Sequence, residues 1–193
     1  MTVRDLMFQD EIREAVLKAY ADIPSGAGEH VAGRLYSEEE LADVSPGAIE
    51  WALGVGNPVR YAFLEPGQTV LDVGSGGGID TILAAKRVGP EGRAIGLDPL
   101  PEMLERGLAH ARDAGVAGWT EFVEGEMEAI PLGDASVDVV ISNGVINLSA
   151  RKGRALAEIF RVLRPGGRVC VADLTVEEEL PPEIAASDAA WAG

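Results

Sequence analysis

The sequence predicts an α/β fold, a doubly wound and mostly parallel sheet, on three observations. The apolar run Val70-Leu71-Asp72-Val73 leads into Gly74-Ser75-Gly76-Gly77-Gly78, and Ile79, Ile82 and Leu83 then recur at helical spacing, which reads as strand, tight turn, helix. A second apolar run, Arg93-Ala94-Ile95-Gly96-Leu97, ends in an acid, Asp98, 20 residues beyond Gly78. Short apolar runs then alternate with amphipathic patterns as far as Leu174, the order expected of βαβ units with right-handed crossovers. Together these describe a Rossmann-like sheet that holds a nucleotide-sized ligand at the carboxyl ends of its strands.

The elements follow in order. Residues 3 to 21 carry Phe8, Ile12, Ala15, Val16, Ala19 and Tyr20 as a helical stripe, ended by Ile23-Pro24-Ser25-Gly26. That helix suits either a lid over the ligand mouth or an accessory packed on the sheet. Residues 24 to 36 are rich in Gly, Ala and polar groups and read as a loop, in which His30 has no assigned role. Ser37-Glu38-Glu39-Glu40 is a capping box opening a short helix to about Ala42. Residues 44 to 58 read as irregular, and Asn57-Pro58 starts a short helix carrying Val59, Tyr61, Ala62, Phe63 and Leu64.

In the core, a strand over 69 to 73 precedes a helix over 79 to 88 and a strand ending at Asp98. Pro101 opens the next helix, with Leu104, Leu108 and Ala111 as its inner face and His110 facing solvent or its neighbours. Trp119 to Val123 is short and half polar, as an edge strand should be. Ser136 to Ser142 is a buried strand that delivers Asn143 to Leu148 to the ligand edge of the sheet. A helix over 150 to 163, with Leu156, Ile159, Phe160 and Leu163 on one side, ends at Arg164-Pro165-Gly166-Gly167. The fifth strand is Arg168 to Leu174, with Cys170 as a buried small apolar group rather than a nucleophile. Its outer edge is left open, to be covered by the tail, by further sequence or by a second copy of the chain.

Bulk properties narrow the function. With 193 residues, 47% of them hydrophobic, and mean hydropathy +0.09, the chain builds one sizeable core. It divides into a helical cap segment (1–67), a cofactor-binding core (68–175) and a tail (176–193). The formal charge of −16 argues against a nucleic-acid backbone or an anionic membrane as partner. No run is long enough to span a membrane, and the start has an acid where a signal peptide would be apolar, so a cytoplasmic protein is expected. A single cysteine forbids an internal disulfide and any multi-Cys metal site, and no metal is expected.

The choice of cofactor rests on spacing. A dinucleotide fingerprint needs its third glycine where Ile79 stands, and the run fits Asp-x-Gly-x-Gly-x-Gly better, which disfavours NAD. Glycine at 74, 76 and 78 lets the backbone approach the ligand, and Asp98 can accept both hydroxyls of a ribose. A plain strand-end Asp opening the Asp98-Pro99 turn is the alternative.

In LDVGSGGGID, GLDPLPEML, GEMEAIPLGDASVDVVISN and FRVLRPGGRVCVADL, over about residues 68 to 175, the sequence resembles the class I S-adenosylmethionine (SAM) methyltransferases. Through LGVGNP (53–58), SNGVINLS (142–149) and the ELPPEI…WAG end, it is most similar to the arsenite methyltransferases. The resemblance implies SAM as cofactor, held by Asp72, Gly74, Ser75, Gly76, Gly78, Asp98, Pro99, Met103, Glu126, Met127 and Asn143. Glu126 would accept from the adenine amine and the Met127 amide would serve a ring nitrogen. Asn57, Asn143 and Asn147 are candidates for lining the methyl-transfer pocket, with satisfaction of loop backbone groups as the other reading of Asn143 and Asn147.

The family fold has seven strands and this chain reaches five, so a fragment of a longer protein is expected. The family holds trivalent arsenic on cysteine thiolates, soft ligands for a soft centre. The matching positions here are Val55 and Gly144, and a third falls beyond Gly193. The expected activity is therefore methyl transfer to another small molecule. Arsenic methylation through a different ligand set and a non-catalytic SAM-binding module are the alternatives. In-line displacement at an activated methyl needs positioning more than acid–base chemistry, and no general base is assigned.

Overall fold

The structure is a computed structural model describing residues 3–21, 26 and 28–175, and the side chains of residues 11–20, 26 and 28–175. The expected helix stop at 22–25, the Phe8 side chain and the tail beyond 175 lie outside the described residues. Five parallel strands stand in the order β3-β2-β1-β4-β5: β1 (Thr69–Val73), β2 (Arg93–Asp98), β3 (Thr120–Glu124), β4 (Val137–Asn143) and β5 (Leu163–Ala172). The crossover helices are α6 (Ile79–Val88), α7 (Pro101–Asp113) and α8 (Lys152–Val162), preceded by α1 (Val3–Ala21) through α5.

The sheet centre is where the sequence is least ambiguous. β1 pairs with β2 from Thr69↔Arg93 to Val73↔Leu97 and with β4 from Val70↔Val139 to Val73↔Ser142. Val70, Leu71, Val73, Ile95, Leu97 and Ile141 are all buried, each side chain contributing about 2 kcal/mol on transfer from water. The order reverses between β1 and β4, so their carboxyl ends open a crevice.

The cap segment shares this core. α2 (Glu29–Leu35) and α4 (Pro46–Glu50) are helices where a loop and irregular chain were expected, and α3 (Glu38–Ala42) carries the predicted capping box. α2 forms because Gly28, whose Cβ would lie 2.3 Å from Ala52 N, lets the chain press on the end of α4 and bury Ala32 and Tyr36. α4 begins at Pro46 behind a Ser45 cap, a start signal legible as Ser-Pro. Ala32, Tyr36, Ala48, Ala52 and Val59 join Val70, Ile82 and Ile141 in one cluster. α5 is shorter than expected, Pro58–Tyr61, and Phe63 leaves it at φ +48 and exposed.

Two helix faces differ from the expected ones by one position. α7 buries Met103, Gly107 and Ala111, leaving Leu104 and Leu108 half-buried, because glycine at 107 admits the ring of Phe122 from β3. α8 buries Ala155, Glu158, Ile159 and Val162, while Leu156 and Phe160 are exposed. Glu158 is tolerated inside because Arg161 pairs with it at 2.7 Å and the Ile130 amide donates to it at 3.0 Å. Arg164 to Gly167, expected as a turn, lies within β5, whose ladder with β4 slips between Val137 and Val139. β5 forms the sheet edge with Val169 and Val171 exposed, and Cys170 between them is half-buried rather than fully enclosed.

Candidate functional site

The crevice at the reversal point is a cleft of about 210 Å³. Its floor is the turn after β1. The amides of Gly74 and Ser75 both donate to Leu97 O, at 2.8 and 3.0 Å, which pins the turn to β2. Gly74 (φ +74) has Val145 against it, where a Cβ would come within 2.5 Å. Gly76 (φ +49) differs: it lines the cleft, and no protein atom lies within 4 Å of its Cβ position. A side chain there would occupy ligand space. Gly78 does not line the cleft; it starts α6 at φ +89 and is glycine because Phe122 and Gly107 lie 2.9 and 3.1 Å from its Cβ position. These contacts give Gly78 a packing role at the start of the helix.

Asp98 ends β2 facing the same space. Its Oδ2 accepts from Gly76 N at 2.9 Å and its Oδ1 from Leu100 N at 3.0 Å, leaving a lone pair on each oxygen for a ligand. Burial raises its carboxyl above the ordinary range against those two amides. It thus both opens the Asp98-Pro99 turn and borders the cleft, as do Pro99 and Met103.

Two more acids complete the floor. Asp72 is buried, takes the Thr81 hydroxyl at 2.6 Å, and is held well above its usual range by burial and then by the neighbouring Asp80 charge. Asp80 is pushed up to about 6 by burial, opposed by hydrogen bonds from Asn143 at 2.9 Å and Tyr36 at 3.0 Å. Among the described residues none of these three cleft acids has a Lys or Arg in an ion pair. Ser75 Oγ is buried there without a hydrogen-bond partner. Uncompensated acids, an orphaned hydroxyl, an open glycine and walls of Val16, Leu17, Leu53, Ile79 and Leu148 suit a cationic nucleoside that is partly apolar.

α1 forms the outer wall with Arg13, Val16, Leu17 and Tyr20, which places it over the mouth. Arg13 bridges to Glu126 at 2.7 Å, and Glu126 and Met127 line the far end. Trp51 lies against Gly77 and under the Arg106 guanidinium, 3.7 Å from its ring centre. His110 is turned inward, not to solvent: Nδ1 lies 2.8 Å from Gly77 O, which assigns that nitrogen its proton, and Nε2 packs on Gly47.

The three asparagines separate. Asn143 borders the cleft, yet its amide is spent on protein: Oδ1 accepts from Val55 N (2.8 Å) and Gly56 N (3.0 Å), and Nδ2 reaches Gly56 O and Asp80. Asn57 is not in the cleft wall; it caps α5 and donates to Glu40 at 3.2 Å. Asn147 is exposed outside the wall, and its backbone N–H donates to Asp173 Oδ2 at 2.9 Å. Sequence reasoning missed Asp80, Tyr36, Trp51 and Arg13. Only Asp80 carried a signal, standing two residues after the last glycine of the turn.

Sheet order, glycine turn and strand-end acid define the class I fold of the SAM-dependent methyltransferases. The model of a methyltransferase domain matches residues 64–193. The arsenite methyltransferase of Halobacterium salinarum is 43% identical over 149 residues, 77% of this chain and 38% of that protein. The arsenic(III) S-adenosylmethionine methyltransferase of Chlamydomonas reinhardtii superposes with TM-score 0.65 at 38% identity, over 88% of this chain and 52% of that one. A ubiquinone/menaquinone biosynthesis C-methyltransferase of Salmonella arizonae is 40% identical over 110 residues, 56% of this chain and 43% of that protein. The chain belongs to the class I SAM-dependent methyltransferase family, close to the arsenite methyltransferases, and spans about half or less of the length of these relatives.

Proposed function

We propose that the chain is the cofactor-binding part of a SAM-dependent methyltransferase whose acceptor is a small molecule other than thiolate-held arsenic. The observation that carries the cofactor half is Asp98, buried beside the open Gly76 with an unused lone pair on each oxygen. On this reading Asp98 takes the ribose hydroxyls, the turn 74–76 faces the amino-acid end, and Asp72 and Asp80 supply the negative field that a cation needs. Glu126 and Met127 stand where an adenine edge would be read, with Arg13 holding the Glu126 carboxylate in place. Bound SAM would supply a methyl on positive sulfur, already activated for in-line attack. The walls from α1 and Leu148 exclude water and fix the angle of approach.

The acceptor half rests on Val55 and Gly144. They are side by side, with the Gly144 Cβ position 3.5 Å from Val55 Cγ1; on the resemblance these two positions correspond to family cysteines, and neither residue offers a thiol. An apolar pair there suits a carbon, nitrogen or oxygen nucleophile better than a soft metalloid. Calorimetry with SAM, its demethylated product and NAD tests the first half: SAM binds and NAD does not, and the reverse would overturn the reading. Formation of demethylated product with arsenite plus glutathione tests the second. No arsenite-dependent turnover is expected, and its appearance would restore arsenic as the acceptor.

A further inference from the structure

Asn143 ends β4, is 8% exposed, and its side chain hydrogen-bonds to Val55, Gly56, Asp80 and Tyr36. The two amides it accepts, Val55 and Gly56, are consecutive, and its NH2 returns to Gly56 O at 2.8 Å, so one amide group grips the loop from both sides. Gly54 packs flat against it: a Cβ at 54 would sit 2.2 to 2.6 Å from the three amide atoms. The same NH2 donates to Asp80 at 2.9 Å, and Tyr36 Oη, 3.2 Å from it, donates to the other Asp80 oxygen. Asp80 and Gly54 both line the cleft, one on its acidic floor and the other on the wall beside Val55 and Gly144.

We propose that Asn143 is the positioning residue of the acceptor side: its amide fixes residues 54–56 and ties them to Asp80, so that filling the cofactor end tightens the wall an acceptor meets. The proposal rests on the SAM-binding reading above. A cation near the floor favours the ionised form of Asp80. Hydrogen bonds to an ionised carboxylate are stronger, so Asn143 is held harder and the loop with it. Both ends then share one bistable contact, and the coupling is reciprocal by linkage. Asn143 itself needs to touch neither cofactor nor acceptor.

The test is amide hydrogen exchange on the full chain, with and without SAM, alongside SAM calorimetry. In the wild type, SAM slows exchange at Val55 and Gly56 by about threefold or more. In Asn143→Ala those two amides exchange about tenfold faster, Leu71 in β1 is unchanged, SAM affinity stays within about threefold, and the SAM-linked slowing disappears. Tyr36→Phe removes one hydroxyl of the network but leaves the grip on the loop, and keeps the two amides within about threefold of wild type. The proposal is overturned if Asn143→Ala leaves the two amides as they were, if exchange rises across β1 equally, or if Tyr36→Phe opens the loop as far. Loss of SAM binding in Asn143→Ala alone would make it a cofactor ligand and overturn it as well. Absence of SAM binding in the wild type overturns both the functional reading and the coupling, whereas wild-type binding with no change at 55 and 56 overturns the coupling alone.

Discussion

The two ends of the cleft are built by different means. At the cofactor end, a five-residue strand runs directly into a glycine turn, and the backbone hydrogen bonds of that turn are local or reach the adjacent strand, which ends in Asp98. On the side proposed for the acceptor, the wall includes Leu53 and Gly54, whose loop is held at Val55 and Gly56 by a side chain 88 and 87 residues away, and α1 roofs the cleft. The first end is fixed by backbone geometry, the second by side-chain chemistry. A family can therefore keep one cofactor while its acceptors diverge.

The largest expected effect lies at the cofactor end. Asp98→Ala removes two acceptor oxygens from a desolvated site, and SAM affinity should fall about a hundredfold, the equivalent of two charge-assisted hydrogen bonds of ~1.5 kcal/mol each. Titration calorimetry reads this directly. Unchanged affinity would dissolve the distinction, since the local end would then contribute no recognition.

Gly54→Ala attacks the other end. The new methyl meets the Asn143 amide, which is held by contacts to four residues and has nowhere to go, so the loop must move. Overpacking of this kind costs about 1–3 kcal/mol, to be read as a lowered urea midpoint. SAM affinity is expected to stay within about threefold, because the new methyl is directed at the Asn143 amide and not at Asp98 or the turn. A drop as deep as that of Asp98→Ala would show that the ends are one site.

Legibility followed the same division. β1, α6 and β2 could be bounded from the sequence because apolar runs and glycines act within a few residues. The inner face of α7 was hidden because the determining residue, Gly107, is defined by the Phe122 ring it admits from another strand. α8 was read one position off because a charged residue, Glu158, faces inward with Arg161 beside it, which no hydropathy pattern registers. Asn57, a candidate for the acceptor pocket, caps α5 and donates to Glu40, and the Asn143 amide clamps a loop, one of the two readings its sequence position allowed. Its partners at 36, 55, 56 and 80 are joined only by the fold.

A pH series separates the cleft acids from those outside it. The Asp80 carboxyl is raised to about 6 in the folded chain, whereas an unfolded aspartate titrates near ~3.9. Between those values the folded state holds the extra proton, so this group's contribution to stability falls as pH rises through that window and is flat above it. Asp138 has the opposite sign. Burial would raise it, but the Thr69 amide and Arg164 outweigh that and lower it, so its stabilisation is present above the unfolded range and lost on acidification. For a cationic cofactor, affinity should rise between about pH 5 and pH 7 as Asp80 ionises, by up to about tenfold, and Asp80→Asn should flatten that rise. A wild-type profile as flat as the variant's would remove Asp80 from the cofactor field.

The smallest effect is expected where the two ends meet, at the Arg13–Glu126 bridge between α1 and the segment after β3. Both side chains are about half exposed, so the pair is screened and contributes less than about 1 kcal/mol to holding α1 down. Arg13→Ala therefore leaves the melting temperature nearly unchanged. It also releases a carboxylate that an adenine amine would otherwise have to share with a guanidinium, and it takes a positive charge out of the wall, both of which favour a cationic cofactor. Because the pair is about half exposed and screened, SAM affinity should rise by about threefold or less. A hundredfold loss would instead mean that Arg13 touches the cofactor itself, and the lid helix would then belong to the cofactor end of the cleft rather than to its roof.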